Sequence, residues 1–244
     1  FYLNGPLLIV VGAGSGKTKV LTSRIAHIIK QKKAFPNQII AVTFTNKAAK
    51  EMQNRVSTIL KKEAIGLSWL GTFHSISAKL LRKHAPAVGL QSNYSIIDQD
   101  DQVRLVKNIC KAENIDIKKI SPKYILSIID NWKNKGWYPE DVILKKKDVL
   151  EKGFLKIYKI YQSKLMDLNA CDFGDLILHC VKIFEKNSEI TKLYSKNFKY
   201  ILVDEYQDTN LIQSKWLNYL TKYNQNICCV GDDDQSIYSW RGAE

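Results

Sequence analysis

Hydrophobic and polar positions follow a strand–helix alternation at both ends of this chain. Short apolar runs occur at 7–11, 39–42, 67–70, 200–203 and 227–230. Most are followed by longer segments whose apolar residues recur three and four positions apart, as in Val20, Leu21, Ile25 and Ile28. Such runs are typical of buried strands and such spacing of amphipathic helices. The alternation predicts an α/β fold with a parallel sheet flanked by helices.

The middle of the chain has a different pattern. Between about 97 and 190 the strand signals nearly vanish, and helical spacing dominates over 99–113, 121–134, 148–167 and 172–186. This pattern predicts a mostly α-helical insertion at 97–190. The two flanking parts, 1–96 and 191–244, are then expected to form one interrupted sheet domain.

A glycine-rich stretch lies between the first predicted strand and the first predicted helix. Strand, glycine loop, lysine, hydroxyl and helix stand in the order of a phosphate-binding loop. Glycines let successive N–H groups point at an anion, and the helix start adds its positive dipole end. A strict motif has glycine where Val11 stands, and a chance glycine turn is the alternative. The predicted nucleotide-binding residues are Gly12, Ala13, Gly14, Ser15, Gly16, Lys17 and Thr18.

Acidic and amide side chains follow two later strands. Asp204 and Glu205 come directly after the run 200–203, and Gln235 follows the run 227–230. If Lys17 reaches the β- and γ-phosphates and Thr18 binds Mg²⁺, one carboxylate can hold the same Mg²⁺ and the next can orient or deprotonate a water. An amide can contact a γ-phosphate without competing for metal. The alternative is a pair of solvated loop acids.

Aromatic residues near the predicted strand ends have two possible roles. Tyr238, Trp240 and Arg241 combine aromatic planes with a guanidinium, a set that stacks nucleobases with about 1–3 kcal/mol per base. Tyr and Trp two positions apart are also common in cores. Phe44 and Phe73 carry the same two interpretations.

Composition and charge narrow the function classes. The chain has 244 residues, 45% of them hydrophobic, and no apolar run approaches the roughly 18–20 residues that cross a membrane. Its five cysteines show no CxxC spacing, which favours reduced thiols and a cytoplasmic location. The net charge is +13, of which only +2 lies in 97–190. A basic flanking part favours a nucleic-acid partner, although solvated lysines are the simpler alternative.

Several motifs together resemble the UvrD/Rep/PcrA group of superfamily 1 DNA helicases. Asp172-Phe173-Gly174-Asp175-Leu176 is similar to that group's Asp-Phe-x-Asp-Leu element. The other segments that carry the resemblance are Gly-Ala-Gly-Ser-Gly-Lys-Thr (12–18), Thr-Phe-Thr-Asn-Lys-Ala-Ala (43–49), Gly-Thr-Phe-His (71–74), Val-Asp-Glu-Tyr-Gln-Asp-Thr-Asn (203–210) and Gly-Asp-Asp-Asp-Gln-Ser-Ile-Tyr-Ser-Trp-Arg-Gly-Ala (231–243).

The resemblance implies a P-loop NTPase with a RecA-like sheet, an ATP- and Mg²⁺-dependent translocase that unwinds DNA 3′ to 5′. Lys17, Glu205 and Gln235 would serve hydrolysis, and Thr18 and Asp204 would hold Mg²⁺. A second RecA-like domain of the full-length chain would supply further arginines, so we expect a fragment with weak activity of its own. The implied contacts to single-stranded DNA or its duplex junctions are Phe44, Thr45, Asn46, Thr72, Phe73, His74, Tyr238, Trp240 and Arg241.

Two other functions stay open at this point. One is the motor part of a helicase–nuclease subunit of recombination. The other is a non-motor ATP- or DNA-binding module in which the motifs are relics. If the chain is instead part of a UvrD/Rep/PcrA-type helicase, we expect a cytoplasmic, nucleoid-associated protein of repair or replication.

Overall fold

The computed structural model describes residues 2–12, 16–61, 65–115, 117, 119–143 and 149–232. Strands and helices alternate at both ends of the chain and helices dominate between them. The strands are β1 Leu7–Val10, β2 Ile39–Thr43, β3 Leu70–Thr72, β4 Ser95–Ile96, β5 Ala170–Cys171, β6 Tyr200–Val203 and β7 Ile227–Gly231. The helices are α1 Lys17–Lys30, α2 Asn46–Leu60, α3 Phe73–His84, α4 Gln99–Ala112, α5 Pro122–Asn134, α6 Val149–Asp167, α7 Phe173–Lys186, α8 Ser188–Asn197 and α9 Leu211–Leu220.

Five strands form one parallel sheet in the order β1-β7-β6-β2-β3. In this register Val42 lies opposite Val203, and Thr43 lies opposite Thr72. The central strands β2 and β6 are buried on both faces, which explains their unbroken apolar sequences. The predicted parallel α/β fold is confirmed. Because all five strands are parallel, their carboxyl ends lie at one edge of the sheet.

Helices cover both faces of this sheet. On one face α1 and α2 pack on residues such as Ile39 and Leu202. On the other face α3, α7 and α9 pack on Ile40 and Val203, with Trp216 fully buried among them. The layer order is therefore helix, sheet, helix, with a separate apolar core on each face.

The insertion has a third core of its own. Helices α4, α5 and α6 pack around apolar residues from Val106 to Ala170, and the short parallel pair β4–β5 closes this unit. Helix α7 packs instead on α3 and α9, inside the core that covers the sheet. The apolar core of the insertion itself extends to Ala170, and the domain boundary at residue 190 stays a prediction.

A buried ionic cluster joins the insertion to α7. The Nζ of Lys133 lies 2.6 Å from Asp172 Oδ2 and 2.7 Å from Asp175 Oδ1, and all three side chains are at most 1% exposed. Tyr161 donates to Asp172 at 2.9 Å, and Gln162 donates to Asp175 at 2.8 Å. Burial alone would lower the pKa of Lys133, but the two carboxylates raise it above its ordinary value.

Three local features differ from what the sequence pattern indicates. Asn46 is of a residue type that often caps helices, but Thr45 caps α2, since its hydroxyl accepts from the Ala48 N–H at 3.1 Å. The third strand begins at Leu70 and not at 67, because the backbone turns at 66–68. Helix α8 was not predicted from its mostly polar sequence, and Asn187 caps it by accepting from the Ile190 N–H at 3.1 Å.

The five cysteines are free thiols, as their spacing in the sequence predicted. All five cysteines are buried and none forms a disulfide, and Cys228 and Cys229 pack within β7 as predicted. Within the described ranges, every helix is too short or too polar to traverse a lipid bilayer.

Candidate nucleotide site and adjoining groove

The predicted nucleotide residues meet at the carboxyl edge of the sheet. Gly12 follows β1, Asp204 and Glu205 follow β6, and Asp232 follows β7. Helix α1 begins at Lys17 beside these strand ends. In parallel α/β sheets this edge is where ligands bind.

The start of α1 is built to face an anion. Gly16 precedes the helix with a φ of +84°, a left-handed conformation that favours glycine. No side chain caps this helix, and no acidic residue occupies its first turn. The N–H groups at the helix start and the helix dipole are therefore directed at the site. The predicted loop residues Ala13, Gly14 and Ser15 lie outside the described residues.

Lys17 lies between two carboxylates that come from different strands. Its Nζ is 3.5 Å from Glu205 Oε2 and 3.2 Å from Asp232 Oδ2, and its side chain is only 8% exposed. Residues almost 190 positions apart in sequence are thus brought together. Asp232 was not predicted as a site residue, although its position after β7 was a usable signal.

Asp204 and Thr18 lie together beside this lysine. Burial first and the neighbouring Glu205 carboxylate second raise the pKa of Asp204 to about 6, although Lys17 and hydrogen bonds from the Glu205 backbone and from Thr18 counteract part of the rise. Asp204 Oδ1 is buried and has no hydrogen-bond partner among the described residues. A hydroxyl and an unsatisfied carboxylate oxygen side by side fit Mg²⁺, which prefers oxygen ligands.

The described residues contain no cluster of three or more histidine, cysteine or acidic side chains that could hold a metal ion by themselves. Mg²⁺ is usually bound through one or two carboxylates plus substrate phosphates and water.

Glu205 has an unusual backbone conformation. Its φ of +51° and ψ of +48° are left-handed, which costs a non-glycine residue roughly 1–3 kcal/mol. A one-turn 3₁₀ helix, Tyr206–Asp208, follows this residue immediately. The Glu205 side chain remains 37% exposed beside Lys17. Strained residues of this kind cluster at functional sites.

A groove of roughly 710 Å³ adjoins the same sheet edge on the side of β2 and β3. Its lining comes from the ends of these strands, from α5 and the start of α4 in the insertion, and from the starts of α7 and α9. The polar and aromatic side chains in its lining include Phe44, His74, Asp98, Asp130, Asn131, Asn134, Lys135, Phe173, Asp208 and Asn210.

The described residues that were predicted to contact DNA differ in how exposed their side chains are. Thr45 and Asn46 are exposed, whereas Phe44 and His74 are half-buried and line the groove. Phe73 is 1% exposed and packs edge-on against Phe44 and Trp216, each with ring centroids 5.6 Å apart.

Phe73 therefore belongs to the core that supports the Phe44 ring, although it also lines the groove, and its contact with DNA stays a prediction. Thr72 is 7% exposed, and its hydroxyl is occupied in capping α3, where it accepts from the Ser75 N–H at 3.2 Å. The predicted contact of Thr72 with DNA likewise stays a prediction. Gln235, Tyr238, Trp240 and Arg241 lie outside the described residues.

Phe173 is a groove residue that the sequence analysis did not assign to the site. It is 55% exposed, and its ring centroid lies 5.7 Å from that of His74. Asp172, the residue before Phe173, caps α7 and is paired with Lys133. The buried ionic cluster therefore fixes the backbone that carries this exposed ring. The motif around Phe173 was visible in the sequence, but only the tertiary structure places the ring beside His74.

Comparison with known proteins agrees with this arrangement. The whole chain, residues 1–244, matches the family described as UvrD/REP helicase N-terminal domain. It is 50% identical over its full length to a probable DNA helicase II homolog of Rickettsia conorii and covers 37% of that protein. It is 45% identical over 98% of its length to the ATP-dependent DNA helicase PcrA of Staphylococcus epidermidis and covers 33% of it.

The match to the family extends over all the site and groove residues described above. The chain spans about a third of the length of these curated relatives. It belongs to the UvrD/REP helicase N-terminal domain family.

Proposed function

We propose that this chain is the nucleotide-binding half of an ATP-driven motor that moves along single-stranded DNA and unwinds duplex in the 3′-to-5′ direction. The observation that carries the proposal is the position of Lys17 between Glu205 and Asp232, next to the Asp204–Thr18 pair. This cluster shares one sheet edge with a groove that contains aromatic and amide side chains.

In this proposal Lys17 exchanges its carboxylate partners for the β- and γ-phosphates of ATP. The N–H groups at the start of α1 bind the same phosphates. Thr18 and Asp204 hold Mg²⁺, which when bound neutralises charge on the phosphates. Glu205, released from Lys17, orients the attacking water and accepts its proton. Its exposed side chain beside the lysine supports that role.

The groove is proposed to hold the bases of the DNA strand. It contains three carboxylates, Asp98, Asp130 and Asp208, against one lysine, Lys135. Phosphates would be repelled there, so the bases face the groove and the phosphates face outward. Phe44, His74 and Phe173 are available for stacking, and Asn131 for hydrogen bonds.

A short segment after β6 connects the two sites. Glu205 is at one end of it, and Asp208 and Asn210 at the other end line the groove. Asn210 Nδ2 donates to Asn134 Oδ1 of α5 at 3.0 Å. A shift of this segment on hydrolysis would move residues both at the sheet edge and at its contact with the insertion. We propose that a second RecA-like domain of the complete polypeptide closes on this edge and turns such shifts into steps.

The test is strand displacement by the complete polypeptide in which this chain occurs. With ATP and Mg²⁺ it should displace a strand from a duplex with a 3′ single-stranded tail and leave a 5′-tailed duplex intact. Displacement from the 5′-tailed duplex alone would contradict the direction. Nucleotide-dependent cleavage of the strands would instead favour the helicase–nuclease alternative. ATP binding without displacement of either substrate would favour the non-motor module.

Replacing Phe173 with alanine should weaken single-stranded DNA binding about 5- to 100-fold, because stacking of one base contributes roughly 1–3 kcal/mol. The exposed ring at the groove is the reason. Fluorescence anisotropy with an oligothymidine measures the affinity, and a fluorescent ATP analogue checks that nucleotide binding is unchanged. Phe35→Ala is the matched control, since Phe35 is 73% exposed and precedes β2 at the opposite edge of the sheet. Equal DNA affinity for the Phe173 variant and the control would refute the stacking role.

A further inference from the structure

Gln207 bridges the ends of the two strands that hold Lys17. Its Nε2 donates to Glu205 Oε2 at 2.7 Å, and its Oε1 accepts from the Asp232 N–H at 3.0 Å. Both ends of the amide are therefore used, one toward β6 and one toward β7. Because a carboxylate only accepts and a backbone N–H only donates, these partners also define which end of the amide is nitrogen.

The surrounding backbone is shaped to admit this amide. A Cβ built on Gly231 would lie 2.8 Å from Gln207 Oε1, so any side chain at 231 would displace it. Gln207 itself lies in the 3₁₀ turn that follows the left-handed Glu205. The left-handed backbone at Glu205 precedes the turn that carries Gln207, and the missing side chain at Gly231 leaves space for its amide. Both features therefore accommodate the same hydrogen-bonded bridge.

The bridge acts on the same carboxylate oxygen that faces the lysine. Glu205 Oε2 is the atom that accepts from Gln207 and that lies 3.5 Å from Lys17 Nζ. When Lys17 turns to phosphate, the amide of Gln207 remains as the group that holds this oxygen in place. Without it, a side chain that is 37% exposed would be free to change rotamer.

We infer that Gln207 is a positioning residue for hydrolysis, which fixes the Glu205 carboxylate and the start of the segment at Asp232 around the phosphate site. The inference rests on the proposed function, because it assigns Glu205 to the attacking water. Gln207 does not contact the nucleotide in this role. It should therefore affect the rate of the chemical step more than the binding of ATP.

The test uses two substitutions in the complete polypeptide, with ATP hydrolysis measured in the presence of single-stranded DNA. Gln207→Met removes both hydrogen bonds at similar volume. Gln207→Glu retains the acceptor for Asp232 but places a like charge next to Glu205. Both should lower kcat by about 10- to 100-fold, since small misplacements of a reacting group have effects of that order. The KM for ATP should stay within about threefold.

Gln162→Met is the matched control, because Gln162 is also a buried amide that donates to a carboxylate, at 2.8 Å from Asp175, but lies far along the chain in α6. It should lower the melting temperature and leave kcat unchanged. Gly231→Ala gives an independent test, since it displaces the Gln207 amide without altering it. It should reproduce the loss of kcat.

The outcomes distinguish this inference from the proposed function. Hydrolysis that needs Lys17 but keeps its kcat in Gln207→Met or in Gly231→Ala overturns the inference alone. A loss of kcat no larger than that of Gln162→Met also overturns it, since the effect is then one of stability. Absence of Lys17-dependent hydrolysis in the unmodified protein rejects the proposed function itself.

Discussion

Replacing Lys17 with alanine should lower ATP hydrolysis by about 100- to 1000-fold or more, the usual effect of removing one preorganised charged contact from a transition state. Lys17 is the buried cation at the centre of the site, 3.2 Å from Asp232 and 3.5 Å from Glu205. Without it, these two carboxylates and Asp204 would repel the phosphates. Unwinding should be lost as well. Single-stranded DNA binding should be retained, since the groove lies on the β2–β3 side of the sheet edge.

The measurements are steady-state hydrolysis, strand displacement and DNA anisotropy on the same preparation. Lys19→Ala is the control, because Lys19 is an exposed lysine of the same helix turn. Circular dichroism establishes that the Lys17 variant is folded, and Lys17→Met keeps more of the side-chain volume if it is not. Unchanged hydrolysis in both Lys17 variants would mean that the motif is a relic and that the chain is a non-motor module.

Replacing Lys133 with methionine should lower the free energy of unfolding by about 3–5 kcal/mol, the range measured when one partner of a buried ion pair is removed. Asp172 and Asp175 are both at most 1% exposed, and without the lysine they would be two like charges within one buried site. The pKa of Asp172 is already raised, by burial first and by Asp175 second. Urea denaturation followed by circular dichroism measures the change.

Lys123→Met is the control for this prediction, since Lys123 is an exposed lysine on the same helix and should change stability by no more than about 0.5 kcal/mol. A second variant separates charge from packing. Adding Asp172→Asn and Asp175→Asn to Lys133→Met removes the unpaired charges and should recover part of the lost stability. If Lys133→Met is as stable as the unsubstituted chain, the cluster does not hold the insertion to α7.

Much of the fold follows from local patterns in the sequence. The runs 39–42 and 200–203 are apolar without interruption because both strands are buried on both faces. These runs therefore predicted the bounds of the two strands closely. The mostly polar segment of α8 gave no such signal, since its helix depends on the Asn187 cap and on a few buried residues such as Tyr194. The packing of α7 on α3 and α9 could not be predicted for a similar reason, because periodicity reports a helix but not the core it joins.

The residues of the candidate site also fall into those that the sequence predicted and those that it did not. Lys17 and Thr18 follow a strand and a glycine loop, and Asp204 and Glu205 follow another strand. These combinations are ones that a single chemistry requires, so residue order alone was enough to select the phosphate and metal residues to be tested. It also determined a parallel sheet, and parallel strands must bring their carboxyl ends to one edge. These conclusions depend only on the order and spacing of residue types along the chain.

The use of the remaining side chains depends on the three-dimensional fold and could not be predicted from residue order. The fold buries Phe73 against Trp216 and leaves Phe173 exposed beside His74, although both are phenylalanines within helical motifs. It also pairs Lys17 with Asp232 and places Gln207 between two strand ends. The physical reason is that burial and hydrogen bonding are set by neighbours distant in sequence, whereas periodicity and motif spacing report only what lies within a few residues.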